Sequence, residues 1–564
     1  MRYIITEYDK QLVQRSDDYK YKFFIVDENG NILDEISGIS AVGSYNINPE
    51  STIRRTTSMT LVLDAQYRTE SIERKLYSWI GYNFFMQIGL HDIREDDYKW
   101  YDCGYYLITE GNTSYNATTN SLTVSLGDWF ATLDGTRNGQ NGGAPVIKIL
   151  HEVDDVPVTI RTGIVNLIKS ETNFSNYIVE DIGEFYGMPQ NNSDYLSYRE
   201  QNPLWNSIPY TLEFEAGCLL SDQLLELRDL YPNVEMYFDI YGNFCVNLIP
   251  SCEHDAISLA NDFLQRILVA DNSEQVTYDI KSIKNVTEVF GTIYEVDRYS
   301  ESVSFSDNTY TLSLDTYTDY SSDDIIAFDS TSINDSTTYI AINDLDSLPL
   351  YKEYTTTFID AGVIEENETY VIKIKKVDGK YIAYFLGQYQ PHALCVLTAD
   401  ANDSKYTKEY FSTRYNVDEK NITFRVEPES PFTIQKIGIV LDVKTGNEYD
   451  NILSSSVATE NAIYQNKISS SMNDVVTIQT KMIPFLDTNI KVSYKKQQDD
   501  EVKEYIIKSI DNNLDSCTST ITMYRFYPLY DSTTNSASLL SSDGYTLQDS
   551  DGLYLTTKES WGNG

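Results

Sequence analysis

Hydrophobic and polar residues alternate in three short segments of the N-terminal half, and a similar set returns near the other end of the chain. The first set covers residues 83–88, 105–109 and 122–126, and the second covers residues 489–494, 504–508 and 521–523. Because strand side chains point alternately to two faces, each segment predicts a strand with one buried face. Tyr106 precedes Leu122 by 16 residues, and Tyr505 precedes Ile521 by the same interval. The sequence therefore predicts one small β-domain that is present twice.

The remaining patterns predict a mainly β fold with a smaller α+β part: two similar tube-type β-barrel domains, an α+β domain between them and an inserted β-sandwich. The predicted division is a first barrel at 1–145, an α+β domain at 146–275, a second barrel at 276–296 plus 456–530, the sandwich at 297–455 and an extended tail at 531–564. Insertion into a domain is tolerated where the ends of a host loop lie together.

The α+β domain is predicted from a change of periodicity. Helical spacing is seen at 146–153 and 164–168, where Thr162 is a predicted N-cap. A helix is also predicted at 221–230, capped by Ser221, with its leucines recurring on one side. A hairpin with its turn at 241–243 follows this helix.

Short alternating runs at 369–374 and 381–386, separated by polar turns, predict the inserted sandwich. Two further helices are predicted, a short one at 69–79 and a linking one at 457–464. The tail contains two near-copies of eight residues at 542–549 and 550–557, and two repeats cannot close a core without a partner surface.

Charge excludes one class of function. The 564 residues include 43 basic and 85 acidic side chains, for a net charge of −42. Such a charge repels nucleic-acid phosphates and anionic membranes, so neither specific nucleic-acid binding nor stable membrane insertion is expected. The first ten residues lack the apolar core of a signal peptide. Six scattered cysteines are typical of a protein made in a reducing cytoplasm.

The residue types that carry catalysis or bind metals do not form a recognisable motif. Cys245, Cys252 and His254 lie close in sequence, but zinc requires about four ligands. A Cys–His hydrolase would have to pair Cys218 with His254 or with His392 across a long interval. We therefore predict no catalytic, cofactor-binding or metal-binding residues.

Carboxylates and tyrosines leave two alternatives open. Glu213 with Glu215 or Asp239 could form a glycosidase pair, although alternating acids on a strand are more often a solvated face. The run at 549–552 is similar to the start of a calcium loop but lacks the terminal Glu, which favours a simple turn. Tyrosines of the insertion could stack on sugars or simply pack between strands; they are Tyr310, Tyr317, Tyr320, Tyr370, Tyr381, Tyr384 and Tyr389.

One stretch carries a family resemblance. Residues 45–56 read Tyr-Asn-Ile-Asn-Pro-Glu-Ser-Thr-Ile-Arg-Arg-Thr and lead into the alternating strand 59–63. Together with 237–244 and the segments 489–494 and 504–507, this stretch resembles the baseplate (tail) hub proteins of phages and related injection systems. The resemblance covers about residues 1–295 and 460–530, and the insertion and the tail depart from it.

The resemblance implies a homotrimeric, non-enzymatic virion protein of the tail baseplate or tip, made in the cytoplasm of the bacterial host. Each chain would contribute two barrels to a ring with a lumen for genome passage. Its partners would be the tail tube or distal tail protein, a spike or tip protein and the tape measure protein. The alternatives are a tail-associated cell-wall hydrolase and a carbohydrate- or receptor-binding protein of the tail tip.

Overall fold

The computed structural model describes residues 3–527 except 28–29, 63–78, 116–119, 155, 180–206, 232, 253–255, 270–273, 301, 473 and 498, and it also describes 536–538 and 556–558. Strands hold 42% of the described residues and helices 17%, which confirms the predicted mainly β class. None of the described helices combines the length and the apolar content that crossing a membrane requires.

The first part of the chain is one helix followed by paired strands. Its elements are α1 (Glu7–Arg15), β1 (Tyr19–Val26), β2 (Ile32–Glu35), β3 (Ile39–Ile47), β4 (Arg55–Val62), β5 (Asn83–Asp92), β6 (Asp97–Tyr115) and β7 (Asn120–Gly127). Helix α1 begins in a capping box, in which the Thr6 side chain accepts from the Asp9 backbone N–H and the Asp9 side chain accepts from the Thr6 N–H. The strands pair in the order β3-β4-β7-β6-β5-β1-β2.

The second part is mixed. Its elements are β8 (Val146–Ile149), β9 (Glu152–Val153), β10 (Val156–Pro157), α2 (Ile160–Glu171), β11 (Tyr177–Val179), β12 (Leu212–Glu215), α3 (Leu220–Asp229), β13 (Val234–Phe238), β14 (Phe244–Leu248) and α4 (Asn261–Arg266). Helices α2 and α3 share one buried core with the β13–β14 hairpin. The helix at 221–230 and the hairpin after it are thus where the sequence predicts them.

Three local predictions in this part are wrong. Residues 146–153 form strands instead of a helix, because β8 pairs with β12. Helix α2 is capped by Thr159, whose hydroxyl accepts from the Thr162 backbone N–H. Helix α3 begins after Leu219, which makes no side-chain cap, so Ser221 lies inside the first turn.

The inserted region divides between two sheets. It follows β15 (Gln275–Tyr278), and its elements are β16 (Val286–Phe290), β17 (Arg298–Ser300), β18 (Val303–Ser306), β19 (Thr309–Leu312), β20 (Ile325–Asp329), β21 (Tyr339–Ile342), β22 (Leu348–Lys352), β23 (Thr369–Val377), β24 (Lys380–Gln388), β25 (His392–Thr398), α5 (Lys408–Tyr415), β26 (Ile422–Val426), α6 (Ile434–Ile437), β27 (Leu441–Lys444) and α7 (Ser455–Ser469). Strands β17–β24 form an eight-stranded sheet around one core.

The other sheet departs from the predicted division. It has the order β26-β25-β16-β27, and α7 packs its buried alanines against it. Strand β16, which the sequence assigns to the second barrel, hydrogen-bonds to β25 and β27 instead. The region 297–455 is therefore not a single sandwich. The linking helix predicted at 457–464 lies within α7.

The last part contains β28 (Asp474–Lys481), β29 (Lys491–Lys495), β30 (Val502–Asn513) and β31 (Thr518–Tyr524), and a separate pair formed by β32 (Ser536–Ser538) and β33 (Thr556–Lys558). The helix predicted at 69–79 and the repeats at 542–557 lie mostly outside the described residues. The domain boundaries stay a prediction.

Strand order shows that one unit occurs twice. The order β15-β28-β31-β30-β29 repeats the order β3-β4-β7-β6-β5 strand for strand. Both copies also interrupt the same ladder with a bulge, at Thr109 between β6 and β7 and at Lys508 between β30 and β31. A bulge leaves one residue unpaired and bends its strand, so a shared bulge is a specific feature of a common design.

The shared bulge fixes the correspondence between the copies. When residues are counted from the bulge, each β30 residue has one corresponding residue in β6. Ile521 then corresponds to Val124 and not to Leu122, because Ile521 pairs with Ile510 and Val124 pairs with the corresponding Gly111. The equal spacing of 16 residues therefore compares positions that do not correspond, because the first hairpin is one residue pair longer than the second. In the first copy a short turn joins β3 to β4, whereas in the second copy residues 279–473 stand between β15 and β28.

We predict that the insertion can be replaced by a turn. Tyr278 pairs with Asp474 at the end of the antiparallel β15–β28 ladder, so a two-residue Asn-Gly turn can replace residues 279–473. The insertion also contacts the rest of the chain through hydrogen bonds of Tyr354 to Glu152 and Tyr210 to Asp450. The shortened chain should unfold cooperatively and protect the amides of β28, β30 and β31 from hydrogen exchange.

The control removes one residue more, 279–474. It places Tyr278 opposite Val475 and shifts the register by one, which turns the strand's core face toward solvent. This control should melt at a lower temperature than the 279–473 replacement. Equal melting temperatures, or loss of exchange protection in both proteins, would contradict the assignment of the insertion to this hairpin.

Candidate functional site at the junction of the two barrels

The two β units meet edge to edge. Residues Ser44–Ile47 of β3 pair antiparallel with Ile510–Asn513 of β30, which joins the two units into one twelve-stranded sheet. The Asn512 side-chain amide adds a hydrogen bond of 2.9 Å to the Tyr45 carbonyl. One hydrophobic cluster runs through both units, from Leu12 to Met523. The barrels thus form one continuous body.

Two consecutive arginines lie buried beside this junction. Arg54 is 3% exposed and Arg55 is 1% exposed. A turn places them there: the Asn48 N–H donates to the Arg54 carbonyl at 2.9 Å, and the Asn48 side chain accepts from the Glu50 N–H. Strand β4 starts at Arg55, in phase with its buried residues Thr57 and Met59. The charge therefore sits on the core face of the strand.

Asp487 from the second barrel binds both arginines. One carboxylate oxygen lies 2.7 Å from Arg55 Nη2, and the other lies 3.3 Å from Arg54 Nη2. The same Arg54 nitrogen donates to the Thr488 hydroxyl at 2.7 Å. This loop, between β28 and β29, is more than four hundred residues away from the arginines in sequence. The ion pairs therefore tie the first barrel to the second.

The α+β part completes the network. Glu235 of β13 lies 2.7 Å from Arg54 Nη1, and it also accepts from the side chains of Asn489 at 2.6 Å and Asn247 at 2.8 Å. The Arg54 guanidinium lies 4.0 Å from the centre of the Tyr237 ring. Arg55 donates through Nη1 to the Phe238 carbonyl. Three separate parts of the chain therefore meet at the two arginines. We call the four charged residues Arg54, Arg55, Glu235 and Asp487 the arginine junction.

Asp128 holds the backbone beside the junction. Its carboxylate accepts from the Arg55 N–H at 2.9 Å and from the Phe130 N–H at 3.0 Å. Burial raises the pKa of Asp128 to about 6, although these two donors and the nearby Arg55 charge act in the opposite direction. The protonated carboxyl group is consequently favoured more in the folded chain than in the unfolded one.

Among the described residues, those considered for catalysis or metal binding are not brought together. Cys218 accepts from the Gln223 side-chain amide at 3.1 Å, whereas His392 lies 3.0 Å from Glu288 and stacks on Phe290. His254 lies outside the described residues. Cys252 Sγ accepts from the Phe526 N–H at 3.3 Å. In the described part of the chain, no group of three or more His, Cys, Asp or Glu side chains is placed to hold a metal ion.

The candidate carboxylates have other partners. Glu213 forms an ion pair with Lys148 on the neighbouring strand, and both side chains are about half exposed. Asp239 closes the β13–β14 turn by accepting from the backbone N–H groups of Tyr241 and Asn243. Among the insertion's tyrosines, Tyr310 and Tyr370 are buried in the core of the eight-stranded sheet, as the packing interpretation expects.

A family model described as a domain of unknown function (DUF5048) matches residues 429–530. No curated protein matches the chain by sequence. The chain is similar in structure to a 43 kDa tail protein of prophage MuSo2 from Shewanella oneidensis, with 10% identity, 90% of this chain and 98% of that chain covered, and a TM-score of 0.40.

Two further similar structures are a tail protein from Neisseria meningitidis and the prophage tail protein gp18 from Listeria monocytogenes. The first has 6% identity, covers 90% of this chain and 96% of that chain, and has a TM-score of 0.39. The second has 8% identity, covers 90% and 94%, and has a TM-score of 0.36.

We expect Asp487→Asn to destabilise the protein strongly. The change leaves two buried guanidinium groups with one carboxylate fewer, and removing one partner of a buried ion pair costs about 3–5 kcal/mol. The control is Asp17→Asn, which removes the contact to Lys481 from a carboxylate that is 80% exposed and should cost less than about 1 kcal/mol. Urea unfolding measures both values, and similar losses would contradict the role of the junction.

We also predict a pH-dependent effect of Asp128→Asn. Because the folded pKa is about 6 and the unfolded pKa about 4, the stability that Asp128 contributes is present below about pH 4 and is lost as pH rises through 6. The amide variant cannot ionise. The difference between its free energy of unfolding and that of the wild type should therefore shift in favour of the variant by up to roughly 3 kcal/mol between pH 4 and pH 7. A difference between Asp128→Asn and wild type that stays constant over this pH range would contradict the assignment.

Proposed function

We propose that this chain is a structural protein of a phage or phage-like tail, a hub in which three copies form a ring. The observation that carries the proposal is the duplicated barrel: two units with the same strand order and the same bulge, joined through β3 and β30 in one sheet. The arginine junction fixes the two units relative to each other, as a load-transmitting component requires.

Duplication matches a threefold object to a sixfold one. Three copies of a chain with two similar units present six quasi-equivalent units around one axis. The joint between the units is head-to-tail, since the β3 edge of one unit meets the β30 edge of the next, and head-to-tail contacts close into rings when the rotation allows. Such a ring would fit a hexameric tail tube or distal tail ring on one side and a threefold spike or tip on the other.

The charge of the chain suits a passage for nucleic acid. Three copies carry 3 × −42 = −126 charges, and a lumen lined by part of them would repel phosphates so that a genome slides past without binding. The partners in this proposal are the tail tube or distal tail protein, the spike or tip protein and the tape measure protein. The place of action is the virion, and the proposal includes no catalysed reaction.

The test of this proposal is the oligomer. Native mass spectrometry of the purified chain should give three times the mass of one chain, and electron-microscope images viewed along the axis should show six lobes with threefold symmetry. A monomer or dimer at the highest soluble concentration would contradict the proposal, and so would a ring with another number of lobes.

A further inference from the structure

The repeat of the barrel leaves two corresponding edges unpaired in the described part of the chain. By the correspondence fixed at the bulges, Gln275–Tyr278 of β15 occupies the place of Ser44–Ile47 of β3. In the same way, 111–114 of β6 occupy the place of 510–513 of β30. Ser44–Ile47 and 510–513 pair with each other. Among the described residues, the outer edges of β15 and of 111–114 have no backbone partner.

We propose that these two edges pair between copies of the chain. Strand β15 of one copy adds antiparallel to β6 of the next, with Gln275 opposite Ser114, Val276 opposite Thr113, Thr277 opposite Asn112 and Tyr278 opposite Gly111. This inference rests on the ring proposed above and names the joint that closes it. The register follows from the internal β3–β30 pairing by substituting corresponding residues.

Exposure of apolar side chains supports the pairing. Val276 and Tyr278 point to the core face, because their partners across the ladder are the buried residues Val476 and Asp474. Tyr278 is nevertheless 48% exposed, whereas Ile47 at the corresponding position is 1% exposed beneath β30. A neighbouring strand would cover Tyr278 in the same way. Gly111 opposite it leaves room for the ring.

Charge also favours this joint. Neither 275–278 nor 111–114 contains a charged residue, in a chain of which 23% of the residues are charged. Soluble proteins usually protect unpaired edges with charges or proline, and these edges carry neither. Strand β2, at the far end of the sheet, instead carries Asp34 and Glu35. An uncharged joint brings two strongly acidic copies together with little local repulsion.

Cysteine cross-linking tests the joint and its register. In Thr277→Cys/Asn112→Cys, oxidation should link each copy to the next, so that non-reducing gel electrophoresis shows a band of three chains that a reductant removes. The matched positive control is Asn46→Cys/Asp511→Cys, the corresponding pair within one chain, which should lose its two new thiols on oxidation and still run as a single chain on the gel. The wild-type chain, with its own six cysteines, gives the background.

A register control separates this pairing from random proximity. Thr277→Cys/Ser114→Cys places the cysteines on a diagonal, where the separation of about 7–8 Å is too long for a disulfide, so this variant should not cross-link. Native mass spectrometry of the reduced variants shows whether they are trimeric. A trimer in which 277 and 112 do not cross-link, or in which the diagonal pair cross-links equally well, overturns the joint but leaves the proposed function. A chain that stays monomeric and does not cross-link overturns both.

Discussion

The arrangement of this protein depends on two buried arginines that must be neutralised by residues from elsewhere in the chain. Arg54 and Arg55 stand side by side where β4 enters the core, and their charges are met by Asp487 and Glu235. Isolated buried charges are strongly unfavourable, so the first barrel is destabilised unless the other two parts are correctly placed. The Nε atoms of both arginines nevertheless have no hydrogen-bond partner among the described residues. The network therefore selects one arrangement more than it adds stability.

The backbone of the sheet also connects the two barrels directly. The β3–β30 pairing and the shared hydrophobic cluster make the two barrels one body, while the insertion is confined to the connection between two adjacent strands. Tyr278 and Asp474 pair directly, so the two ends of the insertion meet at neighbouring strand positions. A single hairpin position therefore separates the continuous sheet from the insertion.

Local periodicity predicted much of this fold, because strands with one buried face reveal themselves by alternation. It located β5, β6, β7 and β29 to β31, and the leucine spacing of α3. It did not reveal that β16 pairs antiparallel with β25 and parallel with β27, since pairing across more than a hundred residues leaves no local mark. The arginine junction had a visible signal: Arg55 is in phase with Met59 and Leu61, so alternation places a charge on the core face. Its partner Asp487 could not be identified among 85 acidic residues.

The correspondence between the barrels also shows how their outer edges differ. The residue of the second barrel that corresponds to Arg55 is Asp474. Arg55 lies two residues before Thr57, which pairs with Leu126, and Asp474 lies two residues before Val476, which pairs with the corresponding Met523. Asp474 is neutralised within its own barrel, by Lys496 at 2.7 Å and the Tyr505 hydroxyl at 3.1 Å. The buried charge next to β15 is therefore paired within its own barrel, whereas the buried charges next to β3 are paired with other parts of the chain. A ring built from such units would contain permanent joints within each chain and reversible joints between chains.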